Sequence, residues 1–160
     1  MTVEERLRRI EDRTAIQERK YEYCRYADVL DAELMATVFT EDCTASYGPH
    51  LPRIEGRAAL TAFYAMALAP VVASSHHVSN VEIDFDGPDQ AVLRCYLYSW
   101  QRFTGYPQVQ DRHRWARYVD RWIRTPSGWC QSELVYLVAG ELASGENLRI
   151  GEHLLPVGGR

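Results

Sequence analysis

Lysine is almost missing from this 160-residue chain: all but one of its 18 basic residues are arginine, Lys20 being the exception, and they alternate with acids instead of gathering into a block. With a net charge of -4 there is no basic footprint, so a nucleic-acid partner is not expected. Long apolar runs are missing too. No stretch approaches the roughly 20 apolar residues of a membrane span, which removes the membrane as a partner, and the charged opening MTVEERLRRIEDR has neither an apolar core nor a small-residue cleavage site for a secretory signal. A cytoplasmic location is expected. Cysteine is sparse. Cys24, Cys43, Cys95 and Cys130 lie far apart with no paired spacing, which argues against a zinc site or a disulfide framework and for reduced, buried thiols. Phosphate-binding glycine loops, nucleophile elbows and dinucleotide fingerprints are also absent, and His50 and His113 have no second ligand at metal spacing. No cofactor and no metal are therefore expected.

What is present is an ordinary globular balance, 46% apolar and 25% charged, at a length suited to one domain spanning 1–160. From Thr2 to about Ala27 the apolar positions Val3, Leu7, Ile10, Ile16, Tyr23 and Ala27 fall at helical spacing. Asp31 caps a second helix expected to run to Phe39. A short strand over Cys43–Tyr47 follows, then a third helix over Arg57–Ala69, closed by Pro70. Beyond it the texture turns to Val, Ile, Tyr and Trp, punctuated by Asp86-Gly87-Pro88, Gly105-Tyr106-Pro107 and Pro126-Ser127-Gly128. Four strands are expected near His76–Phe85, Ala91–Phe103, Arg112–Arg124 and Trp129–Ala139. Helices first and a meander afterwards means α+β, with N-terminal helices packed on a curved, mainly antiparallel sheet. Val81, Ile83, Phe85 and Leu93 should face the interior. Residues 140–160 are expected to form a tail or an arm on a neighbouring subunit.

Two residue types at two places point to chemistry. Strand alternation puts His77, Ser79, Val81, Ile83 and Phe85 on one face, and the apolar members mark that face as inward. An imidazole at the mouth of an apolar cavity is a general base in waiting, because it ordinarily exchanges its proton near neutral pH; the other reading of His77 is a satisfied core hydrogen bond. Asp28 stands in the last turn of the first helix, where the helix dipole disfavours a negative charge, so it needs a partner, and an imidazolium would be one. Its other reading is a solvated helix-end residue. Tyr23, Tyr47, Tyr96 and Tyr98 lie in segments expected to approach the pocket, with Trp115 as lining or core and His113 as a weak second imidazole.

The order Arg-Tyr-Ala-Asp28-Val-Leu-Asp31, Val-Phe39-Thr-Glu-Asp42, Gly56-Arg-Ala-Ala-Leu, Ser-His76-His77-Val-Ser-Asn80 and Ser-Gly128-Trp129 resembles the SnoaL-like branch of the nuclear transport factor 2-like superfamily. The resemblance covers about 15–138, the expected core. It is nearest to the scytalone dehydratase, bile-acid 7α-dehydratase and hexachlorocyclohexane dehydrochlorinase group, and it implies a cone-shaped α+β barrel and a cofactor-independent lyase with an Asp-His dyad. Carried over singly, the dyad is Asp28 and His77, Tyr23 matches a pocket tyrosine five residues before the acid, and Tyr47 matches a substrate-facing tyrosine on the first strand. The basic residue that the dehydrochlorinase carries on its last strand is replaced here by Ser132-Glu133-Leu134. The implied substrate is a small hydrophobic or polycyclic molecule and the implied assembly a homo-oligomer, trimer or dimer. Isomerisation or polyketide cyclisation is the neighbouring chemistry, and a non-catalytic binding module or dioxygenase β-subunit-like protein the alternative outside catalysis.

Overall fold

The computed structural model describes residues 1–104 and 110–144, together with the backbone of 149–150. Helix α1 spans Val3–Asp28 and opens on a capping box: Thr2 Oγ1 accepts from the Glu5 backbone N–H and the Glu5 carboxylate accepts from the Thr2 N–H. Its buried face is Asp12, Ile16, Lys20, Tyr23, Cys24 and Ala27, at spacings of three and four. Val3, Leu7 and Ile10, expected among the apolar positions of this helix, are exposed.

Helix α2 is only Ala32–Ala36, capped by Asp31, whose side chain accepts from the Leu34 N–H. It does not reach Phe39. The run Val38-Phe39-Thr40 is β-branched and aromatic and enters strand β1, Phe39–Ser46, with Val38 and Phe39 fully buried. Arg57 secures the switch by donating to the Phe39 carbonyl. The two-residue β2, Ile54–Glu55, pairs with β1, and helix α3 follows over Arg57–Leu68.

The long meander is β3 (Val71–Phe85), β4 (Gln90–Phe103), β5 (Gln110–Thr125) and β6 (Gly128–Ala143), with β7 (Arg149–Ile150) on the edge of β6. Strand order is β2-β1-β6-β5-β4-β3, antiparallel except where β1 runs parallel to β6. This is the α+β architecture expected, a curved mixed sheet with the helices on its concave side. Ile83 and Leu93 are buried there, with Val81 and Phe85 packed against them. The sheet also continues past the point where the chain was expected to become a tail, since β6 holds its pairing with β5 through Ala143. Gly105-Tyr106-Pro107 and residues 151–160 lie outside the described residues.

One local feature of β3 governs the site. Ser79 pairs with Tyr96 and Glu82 with Arg94, so β3 spends three residues where β4 spends two. Asn80 and Val81 together face Cys95, and Asn80 sits at φ 51, in the left-handed region. This is a β-bulge, and it reverses the inward-outward parity of everything before it. Asn tolerates that conformation and β-branched residues do not. Asn80→Val is expected to cost about 1–2 kcal/mol in denaturant unfolding, with Asn80→Gly within about 0.5 kcal/mol of the parent. A neutral Asn80→Val would mean that the bulge is not held by this residue.

Candidate active site

Because of the bulge, the residues of β3 that face inward are His76 and Val78 before it and Val81, Ile83 and Phe85 after it. His77 therefore points out. It is exposed, bonded to Ser75 Oγ at 3.0 Å and set against the ring of Tyr98 on the convex face. The inward position expected of His77 is held by His76. The reason is physical: alternation counted backwards from Ile83 and Phe85 is off by one once an extra residue is inserted at Asn80.

His76 Nδ1 lies 2.7 Å from Asp28 Oδ1, and the His76 backbone N–H donates to Asp28 Oδ2 at 3.1 Å. Both oxygens of the helix-end carboxylate are thus engaged by one residue. Burial pushes the Asp28 carboxyl up, but the ring and backbone hydrogen bonds from His76 and the imidazole charge outweigh it and hold it below the usual carboxylate range. In the tautomer that donates Nδ1–H to the carboxylate, Nε2 carries the lone pair. The ring is held firmly, its side chain only 11% exposed against 28% for Asp28.

His76 on β3 lines a cavity of about 420 Å³ between the three helices and the inner faces of β3–β6. Leu51, Phe63, Leu68, Leu97, Phe103 and Val138 supply apolar wall. Tyr23 from α1, Tyr47 beyond the end of β1 and Tyr64 from α3 meet there with hydroxyls in a ring: Tyr47 donates to Tyr64 at 2.8 Å, Tyr64 to Tyr23 at 3.4 Å, and Tyr23 and Tyr47 are 3.1 Å apart. Burial pushes the pKa of all three hydroxyls up, so they stay phenols. Tyr23 and Tyr47 are therefore in the cavity wall.

The other four expected lining residues are not. Leu97 and Ser99 are the buried positions of β4, which turns Tyr96 and Tyr98 outward, and on β5 the inward set of Arg112, Arg114 and Ala116 turns His113 and Trp115 outward. Tyr96 and Trp115 are 39% and 41% exposed, and Tyr98 Oη bonds His113 Nδ1 at 2.8 Å on that same outer face. The expectation failed because these residues were placed by the segments that approach the pocket, whereas within those segments the inner face is built from Leu97, Ser99, Gln101, Arg112, Arg114 and Ala116.

Several wall residues escaped the sequence reading: Tyr64, Gln101, Arg112, Arg114, Tyr136 and Glu141. Arg112 and Arg114 had a visible signal, since strand parity separates them from His113 and Trp115. Beneath the tyrosines lies a fully buried ion pair, Lys20 Nζ to Asp120 Oδ2 at 2.8 Å, with the ammonium 3.4 Å from the centroid of Tyr118. Among the described residues no group of three or more His, Cys, Asp or Glu side chains is placed to hold a metal ion.

The model of the SnoaL-like domain matches residues 8–135, most of the chain. The chain belongs to the SnoaL-like domain family. No curated protein matches it. Among solved structures this SnoaL-like domain resembles a candidate scytalone dehydratase from Novosphingobium aromaticivorans DSM 12444, with 22% identity over 92% of this chain and 95% of that one and a TM-score of 0.79. It also resembles a hexachlorocyclohexane dehydrochlorinase, LinA type 2, at 18% identity over 95% and 98% of the two chains and a TM-score of 0.76. A type 3 LinA from Novosphingobium barchaimii LL02 superposes at 15% identity over 94% and 98%, with a TM-score of 0.77. At these identities the likeness shows the fold, and the Asp28–His76 contact stands on this chain's own geometry. Among the described residues no helix is long and apolar enough to cross a membrane.

Proposed function

We propose that the protein is a cofactor-independent lyase of dehydratase or dehydrohalogenase type, acting on a small hydrophobic or polycyclic molecule with His76 as the base and Asp28 as its orienting partner. The observation that carries this reading is the 2.7 Å contact between Asp28 and His76 Nδ1 in a histidine that also lines the cavity. An elimination needs one base to take a proton from carbon and a route for the leaving group, and the imidazolium so formed can return its proton to a departing hydroxide. The carboxylate stabilises that imidazolium. A cavity of about 420 Å³ suits a molecule of two or three fused rings. The test is a panel of bicyclic β-hydroxyketones and vicinal halides followed by mass spectrometry. Loss of water or hydrogen halide in the parent, and its absence in His76→Ala, would support the lyase reading, whereas a product of unchanged mass would make the enzyme an isomerase or cyclase.

Assembly and location belong to the same proposal. Tyr96, Trp115 and Val72 are exposed on the outer face of β3–β5 beside His77 and Tyr98, and an apolar patch of this kind calls for a cover. A homo-oligomer, dimer or trimer, is expected in light scattering at micromolar concentration, with Trp115→Glu shifting it toward monomer. A monomeric parent would count against the cover. All four cysteines are buried free thiols, which fits a reducing cytoplasm.

A further inference from the structure

We propose that Arg114 is a second catalytic residue, the donor that receives the developing oxyanion, and that the substrate is consequently a carbonyl compound whose oxygen lies at the β5 side of the cavity. The proposal rests on the reading of His76 as the base. Proton removal from carbon next to a carbonyl moves charge onto oxygen, and a site that does this needs a donor already aimed at that oxygen. The tyrosine trio is poorly placed to be that donor. Each phenol has one hydrogen, and in the ring of three hydroxyls each hydrogen is already given to a neighbour.

Arg114 has what the trio lacks. Its Nε donates to Glu141 Oε2 at 2.5 Å and its Nη1 to Gln101 Oε1 at 3.0 Å, so the guanidinium plane is fixed on two sides. Among the described residues Nη2 has no protein partner, while the side chain as a whole lines the cavity. Register places it: His76 pairs with Ser99, and Ser99 with Arg114, so base and guanidinium stand in one row across β3, β4 and β5. Two strand spacings separate them, about 10 Å between backbones, and both side chains line the one cavity. The small Ser99 between them leaves the space open. The other charged group facing Arg114 is Glu141 from β6, with Arg112 beside it on β5 and the Tyr136 phenol across the cavity.

The step balances without a further reactant. His76 Nε2 takes the α-proton, the C–H electron pair moves into the C–C bond, and the carbonyl π pair moves onto oxygen, against Arg114. When the enolate collapses, the β C–O bond breaks and hydroxide leaves as water with the proton now on Nε2. A β-hydroxy carbonyl compound becomes its α,β-unsaturated product.

The test uses 2-naphthol, whose naphtholate imitates a bicyclic enolate, and naphthalene, which has the same shape and no oxygen. Absorbance titration of bound 2-naphthol against pH reads the stabilisation of the anion directly. In the parent, bound naphthol is expected to ionise at least one pH unit below free naphthol, as a guanidinium in contact dictates. Arg114→Gln should abolish that shift, Arg114→Lys should keep part of it, and both should bind naphthalene as the parent does. His76→Gln should retain the shift. An unshifted parent, a parent that takes up neither compound, or an Arg114→Gln that titrates like the parent overturns the proposal. Loss of the shift in His76→Gln with its retention in Arg114→Gln overturns it as well, while leaving the base reading in place. That base reading fails separately, if His76→Gln keeps turnover.

Discussion

Lys20→Met is expected to destabilise the fold by about 3–5 kcal/mol in urea or guanidinium unfolding, more than any substitution of a surface arginine. Lys20 and Asp120 are both 0% exposed, the first on α1 and the second on β5, and their charges meet at 2.8 Å. Burial alone would push the Lys20 ammonium down, but the Asp120 carboxylate outweighs it and holds the group above its usual value. Burial pushes Asp120 up to about 6 even with the ammonium beside it. Without Lys20 nothing opposes that rise, so Asp120→H⁺ uptake accompanies folding of the variant. The sign then follows. A folded-state pKa above the unfolded one contributes stability present below the unfolded value and lost as pH rises through the folded value. The deficit of Lys20→Met relative to the parent should therefore be smaller near pH 5 than near pH 8. Adding Asp120→Leu should recover most of the loss, because an apolar pair avoids burying a lone charge. A deficit under about 1 kcal/mol, or one independent of pH, would mean that the pair is not formed in solution. Since the ammonium also supports the faces of Tyr118 and Tyr23, at 3.4 and 4.7 Å, the single variant should loosen the cavity floor.

The architecture was legible because it depends on coarse periodicities. A 3.6-residue pattern in α1, a proline after α3 and turn residues between long β-rich runs suffice to place helices before a meander. Asp28 was legible for a related reason, since a carboxylate in the last helical turn asks for a partner whatever the rest of the chain does. What was not legible depends on single insertions. The bulge at Asn80 exchanges His76 for His77, and a non-glycine residue leaves little mark of it in the sequence. Reading parity forward from Ser74 and backward from Ile83 gives opposite answers, and only pairing with β4 decides between them. The aromatic residues failed for a different reason: a segment that approaches the pocket does not state which of its two faces is concave. Lys20 was hidden because its partner is 100 residues away on another element, so nothing in its own neighbourhood announces a buried charge.

The separation of His77 from Asp28 would by itself have favoured a scaffold role, since a binding module has no need for an oriented base. Its neighbour reverses that argument. Once a substrate is in hand, His76→Ala and Asp28→Asn are each expected to lower kcat by roughly 10²- to 10⁴-fold, the usual contribution of a positioned acid–base group. The two losses should not add. Asp28 acts through the ring it orients, so with His76 removed a further Asp28→Asn change has little left to disturb. His77→Ala, on the exposed convex face, should leave kcat within about twofold of the parent, since an outward side chain touches no reacting atom. Folding must be checked in parallel, because Asp28 also satisfies the His76 backbone N–H and caps the junction between α1 and β3. Far-ultraviolet circular dichroism and thermal unfolding supply that check, and His76→Gln, which keeps much of the volume, guards against collapse of the wall. Activity that survives in both His76→Ala and Asp28→Asn but falls in His77→Ala would restore the outer histidine and end the present assignment.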